Sequence, residues 1–220
     1  MKFAAMLART LRAPLPDRLI DRTLRAFGDE LASDAPVPGG GSTAAYAGAM
    51  GAALAAMVLR LAAKKDEQLG PFIAELDDLR ADFMSLVDQD SAAYARVAEA
   101  LKLPRASDQQ KQTRQERLQA SLLAASRVPL AIAKASRRLL DACERGMARA
   151  SPMTASDIGV GALMAEAALR GAGLNVMINL ASVKDPVPVK NLSEELDHAL
   201  DGSDEQRRRI LNFVESRIAR

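Results

Sequence analysis

The chain has 220 residues, a length that suits one domain or one domain with a short extension. Apolar residues make up 49% of it and aromatics only 3%, with no Trp, which favours closely packed helices over a sandwich of aromatic and β-branched strands. Thirty basic against 28 acidic residues leave a net charge of +2, no global field for nucleic acid, while one cysteine (Cys143) and one histidine (His198) exclude an internal disulfide and a zinc site of several Cys and His ligands.

Residues 1–16 mix apolar and basic side chains and form an N-terminal extension. The apolar run Phe3 to Ala8 is too short for a signal-peptide core. From Asp17 to Ala32, Leu19, Ile20, Leu24, Phe27 and Leu31 fall on one helical stripe. Asp34 to Gly41 breaks that helix with prolines and glycines, and Ser42 has the chemistry of an N-cap for a helix running to about Lys64. The stretch Ser42 to Leu59 is uncharged, but its Ala and Gly are weakly driven into lipid, so a membrane span is rejected. A reducing, cytoplasmic setting is expected.

A longer helix covers about Gln68 to Leu101, with Leu76, Leu79, Phe83, Leu86 and Val87 as its apolar face. Leu103 to Ala106 ends it. Ser107 with Gln110 has capping-box spacing and opens the next helix, which reaches about Met147 and bends at Pro129. A break at Ala150 to Pro152 precedes a helix from about Ser156 to Val183. Asp185 to Pro188 reads as an extended link, and Leu192 to Arg220 as one or two charged amphipathic helices, with Ser203 and Gln206 again at capping-box spacing. Residues 17–220 therefore make an all-α domain, a bundle of about six helices. Two of these, around Ala44 to Ala56 and Ala162 to Gly173, carry almost no side-chain bulk, which suits close backbone approach.

Three segments can carry chemistry. Gly39, Gly40, Gly41 and Ser42 place backbone N–H groups at a helix N-terminus, where a polar ligand edge is favoured; a plain turn is the alternative. Asp88 and Asp90 are two residues apart, about 200 degrees around a helix, so they do not act as a close pair. Asp90 lies three after Val87 and four before Tyr94, a partly desolvated position for a base or for a local hydrogen bond. Asn175 and Asn179 project from one face of an apolar helix, where a heterocycle or another helix's backbone can partner them. His198 sits in a polar stretch that reads as an exposed helix face.

Together, Pro38 to Ser42 with the Ala/Gly helix after it, Lys64-Lys65, Asp90 to Tyr94, Leu103-Pro104, Val128 to Leu130, Ser156-Asp157 with Gly159-Val160, and Asn175 to Leu180 resemble the cyclodeaminase/cyclohydrolase family of folate enzymes. The resemblance covers roughly Asp17 to Asp185. It implies hydrolysis of methenyl-tetrahydrofolate to the formyl form, or closure of formimino-tetrahydrofolate with loss of ammonia. It places the catalytic aspartate at Asp90, with Asp88 as the second candidate. It also implies that a tetrahydrofolate substrate meets Gly39 to Ser42, Ser156, Asp157, Asn175 and Asn179, with Lys64 and Lys65 toward the glutamate tail. No cofactor or metal and a homodimeric assembly are expected. The family's Gly-Asn-x-Asn turn before Ser156 is replaced here by Ala150-Ser151-Pro152-Met153.

Overall fold

A computed structural model describes residues 18–64 and 66–219. The N-terminal extension and Lys65 lie outside the described residues. Among those described there are seven α-helices and no strands: α1 (Leu24–Leu31), α2 (Gly40–Ala63), α3 (Gly70–Lys102), α4 (Asp108–Gly146), α5 (Ala155–Leu180), α6 (Pro186–Leu200) and α7 (Ser203–Ile218). Short 3-10 turns at Leu19–Asp21, Glu67–Leu69 and Met147–Arg149 join them.

Helices α2 to α5 run up-down-up-down. Ser42 of α2 meets Val87 of α3 while Arg60 pairs with Asp77 at the other end. Arg114 reaches the Leu101 carbonyl at one end of α3 and α4, and Arg145 meets Glu75 at the other. Asn179 of α5 bonds Ala125 of α4, while a Cβ at Gly161 would meet Cys143. Small residues set the α2–α5 spacing: a Cβ at Gly51 would lie 2.9 Å from the Gly161 carbonyl, and one at Gly161 3.2 Å from the Gly51 carbonyl. Phe83, Leu59, Leu76, Ile132, Leu139 and Leu169 fill the centre and are fully buried. Each contributes about 1.5–3 kcal/mol through the area it removes from water. Helix α2 is long and apolar enough to cross a membrane by composition, but 56% of its most apolar window is buried inside this bundle.

The capping box at Ser107 and Gln110 is present, and α4 runs through Pro129 as one element. Four local expectations are corrected. The 17–32 stripe is a 3-10 turn plus the short α1, capped by Thr23, and Leu24 is 73% exposed. Gly39, not Ser42, caps α2, so the helix begins three residues earlier than expected, and the Ser42 hydroxyl donates to Asp90 instead of capping. Asp185 to Pro188 is not an extended link: Asp185 Oδ1 accepts from the Val187 N–H, and Pro186 starts α6, where its missing N–H is not needed. Ser203 and Gln206 form no capping box. Gly202 precedes α7 at φ 65°, and the Gln206 amide donates instead to Asp141 and Glu144 of α4.

Candidate active site

One cavity of about 350 Å³ opens where the N-terminal end of α2, the middle of α3, and α4 meet the C-terminal part of α5. It gathers Gly39, Gly40, Gly41, Asp90, Asn175 and Asn179 around an apolar floor. Tyr94, one turn beyond Asp90, stands at its rim, 47% exposed.

Asp90 reaches this cavity because α3 passes against the first turn of α2. The Ser42 hydroxyl donates to Asp90 Oδ2 at 2.9 Å and lies 3.3 Å from the Val87 carbonyl and 3.2 Å from the Ser91 hydroxyl. Desolvation by burial pushes the Asp90 carboxyl above its ordinary value; hydrogen bonds from the Ser42 hydroxyl and backbone N–H partly oppose that. Gly41 lets the approach happen, since a Cβ there would overlap both carboxylate oxygens. The first-turn N–H groups of α2 lack helical partners, and that of Ser42 is taken up by the Asp90 carboxylate.

The two asparagines supply the facing wall. Asn175 donates to the Gly171 carbonyl of its own helix at 2.8 Å, and Asn179 to the Ala125 carbonyl at 3.0 Å. Each amide keeps its oxygen available as an acceptor. A Cβ at Gly40 would sit 3.1 Å from Asn175 Nδ2, so the loop and the amide are in close register. The lining contains no Lys, Arg or His.

Other expected site residues fall elsewhere in the chain. Ser42 is fully buried behind the cavity wall, so it holds Asp90 rather than meeting a ligand. Asp88 points away as its 200-degree offset requires: its Oδ1 accepts from the Leu19 N–H at 2.8 Å and its Oδ2 from Arg18 Nε at 3.0 Å. Ser156 and Asp157 lie in the first turn of α5, five helical turns and about 27 Å from Asn175. Lys64 caps the far end of α2, about 35 Å from Gly40. These three cannot touch this cavity in the same chain. His198 is exposed on α6. The floor residues Val37, Ala93, Val97, Leu122, Ala125 and Ile178 carry no chemical signature, and only the packing of four separate segments reveals them.

Residues 23–198 match the family described as formiminotransferase-cyclodeaminase. The methenyltetrahydrofolate cyclohydrolase of Methylorubrum extorquens is 34% identical over 204 residues, covering 90% of this chain and 98% of that protein. The formimidoyltransferase-cyclodeaminase of Mus musculus is 32% identical over 205 residues, but the chain spans only 38% of that protein's length. The crystal structure of formiminotetrahydrofolate cyclodeaminase from Thermotoga maritima superposes with a TM-score of 0.78 at 27% identity, covering 89% of this chain and 96% of that one.

Proposed function

The chain belongs to the formiminotransferase-cyclodeaminase family, and from that premise we propose that it is a methenyltetrahydrofolate cyclohydrolase, an enzyme of one-carbon metabolism. The observation that carries this reading is the half-buried Asp90 facing two asparagine amides across a cavity, in a chain that matches a cyclohydrolase along nearly that relative's whole length.

The methenyl substrate carries a delocalised cation across two nitrogens. A carboxylate beside it stabilises that charge more strongly in a partly desolvated site than in water. Water then attacks the bridging carbon. Asp90 takes its proton as the carbon–oxygen bond forms; it then returns that proton to the departing nitrogen as one carbon–nitrogen bond breaks, and the carbinol hydroxyl loses its own proton to solvent to leave the formyl group. The Asn175 and Asn179 oxygens accept from the N–H edge of the pterin, and the N–H groups of Gly39 to Gly41 hold an acceptor edge. The step uses no metal or organic cofactor. Asp88 takes no part, since its carboxylate is engaged with Arg18 and Leu19. We place the enzyme in the cytoplasm as a homodimer.

The second reading, closure of formimino-tetrahydrofolate with release of ammonia, is favoured by the superposition on a cyclodeaminase. It passes through the same tetrahedral carbon. Loss of methenyl-tetrahydrofolate absorbance with purified protein, measured beside ammonia release from the formimino form, separates the two. Absence of both activities, with folate bound, would leave a non-catalytic binding protein.

A further inference from the structure

Two of the four helices around the cavity run on well past it. Helix α2 begins at Gly40, and its Gly41 already abuts Asp90. Helix α5 stops at Leu180, one residue beyond the Asn179 that bonds Ala125. Helix α3 continues from Asp90 to Lys102, about 18 Å, and α4 covers about 26 Å between Asp108 and Ala125. These two therefore stand out beyond the others as a hairpin. Each arm turns one stripe toward the space that α2 and α5 leave empty. On α3, Asp90, Tyr94, Val97 and Leu101 recur at spacings of four, three and four. On α4, Ala125, Leu122, Leu118 and Arg114 recur at three, four and four. Asp90, Tyr94, Val97, Leu122 and Ala125 line the cavity, and the remaining members extend its wall into solvent. Tyr94 is 47% and Leu101 50% exposed, and Leu118 is half-buried. The result is an apolar trough that leads out of the cavity past Tyr94.

A cation stands at the far end of the trough. Arg114 donates from Nε at 3.3 Å and from Nη2 at 3.2 Å to the Leu101 carbonyl, at the end of the opposite stripe. Two bonds to one acceptor hold the guanidinium across the trough, while its Nη1 makes no bond among the described residues. A planar fork that is already fixed, with one edge free, suits a carboxylate, because less rotamer freedom is left to lose on binding. The cavity lining itself holds no Lys, Arg or His, and Lys64 lies about 35 Å away at the other end of α2.

We propose that the substrate extends out of the cavity along this trough, its aryl ring lying on Tyr94 and Leu101 and a carboxylate of its glutamate meeting Nη1 of Arg114. This orientation rests on the folate reading of the cavity. From Asp90 to Leu101 is eleven residues, about 16 Å, a span that an aryl ring, an amide and an extended glutamate cover. The apolar part of the substrate then lies on the apolar stripes, and the pterin keeps its hydrogen-bonding edge against Asn175 and Asn179 on the facing wall. Arg114 also serves the end of α3, where the Leu101 carbonyl has no helical partner. A cap alone predicts a loss of stability on its removal; a carboxylate site predicts in addition that one part of the substrate, and no other, is bound less tightly.

Tetrahydrofolate and tetrahydropteroate, which lacks the glutamate, are the two probes, bound in a calorimeter and, as their methenyl forms, followed in turnover. Arg114→Gln should weaken binding of tetrahydrofolate by roughly ten- to a hundredfold, the range expected for one charge-assisted contact, and leave tetrahydropteroate as in the parent. In turnover the same loss should appear in KM, with kcat retained. Tyr94→Ala should weaken both probes alike, by roughly two- to tenfold, because both carry the ring. If Arg114→Gln does not fold, Arg114→Lys is read in the same way. It keeps the charge and gives up the fork, and its loss must again fall on tetrahydrofolate alone. An unchanged ratio between the two probes, with only a lower thermal midpoint, makes Arg114 a cap and overturns its assignment. Undiminished binding of both probes by Tyr94→Ala overturns the path along the trough. A parent protein that binds neither probe removes the folate reading itself, and the trough with it; a parent that binds both, with variants that do not discriminate between them, removes the trough alone.

Discussion

Gly41 presents a bare α-carbon to the Asp90 carboxylate, and any Cβ at that position would overlap both of its oxygens. The carboxylate is therefore seated by an absence of atoms on α2 as much as by the hydroxyl of Ser42. Gly41→Ala should force Asp90 out of its position while leaving the helices intact. Turnover is expected to fall about as far as on removal of a general base, roughly a hundredfold or more. Circular dichroism should be unchanged. Full activity in Gly41→Ala would show that the carboxylate's position is not critical.

Asp90→Asn keeps the size of the side chain and removes its charge. Methenyl-tetrahydrofolate turnover should drop by about a hundredfold to ten-thousandfold, with helix content and assembly retained. Asp88→Asn should leave turnover near the parent. It weakens the exposed pair with Arg18, worth about 1 kcal/mol or less, and leaves an amide oxygen that can still accept the part-buried bond from the Leu19 N–H, itself worth about 0.5–1.5 kcal/mol. Paired rate and thermal-midpoint measurements check both, and equal loss of rate in the two variants would remove the distinction between the carboxylates.

Ser42→Ala tests how Asp90 is held in its ionised form. The hydroxyl bond favours the charged carboxylate against the desolvation that raises its pKa. Removing the hydroxyl should raise that pKa further, so the acid limb of the kcat/KM profile moves to higher pH. The sign for stability is opposite to that for activity. A carboxyl whose folded pKa is raised stabilises the fold when protonated, below its unfolded pKa, and that contribution is lost as pH rises through the folded value. The protein should thus give up some stability from Asp90 over the same range in which it gains a base. An acid limb that stays in place in Ser42→Ala would detach it from Asp90.

The helices were legible where the signal is local. Ser107 and Gln110 satisfy each other within four residues, and the Leu76 to Val87 face is set by helical periodicity alone. Two of the corrected caps differ for an equally local reason. Serine and glycine both open helices, and Ser42 follows Gly39 by only three residues; a pair of prolines resembles a linker until Asp185 is seen to cap the turn they begin. At the site, Asp90, Asn175, Asn179 and the glycine loop converge as their segments suggested. Lys64 and Asp157 do not, because residue type carries no information about distance along a helix. The Ala125 carbonyl that receives Asn179 was invisible, since every residue offers a carbonyl.

Gly51→Ala separates the packing of the bundle from its chemistry. The added methyl would meet the Gly161 carbonyl at 2.9 Å, Leu139 Cδ2 at 3.2 Å and Met164 Cβ at 3.2 Å. One of these is a backbone oxygen and another a Cβ fixed directly to the backbone, so the strain cannot be relieved by swinging a flexible tip. Overpacking of this kind costs about 1–3 kcal/mol. Against that, alanine is the better helix former by up to about 1 kcal/mol, so the net result should still be destabilising. The thermal midpoint should fall by several degrees, on the order of 2–8 °C for a domain of this size. Gly51 is ten residues, about 15 Å, along α2 from Gly41, so turnover per folded molecule well below the midpoint should change much less than in Gly41→Ala. Gly28→Ala is the stability control: nothing lies within 4 Å of its added carbon, and it should raise the midpoint slightly through helix propensity. If Gly51→Ala is as stable as the parent, α2 and α5 are free to move apart at their crossing, and the close approach there does not fix the spacing of the bundle.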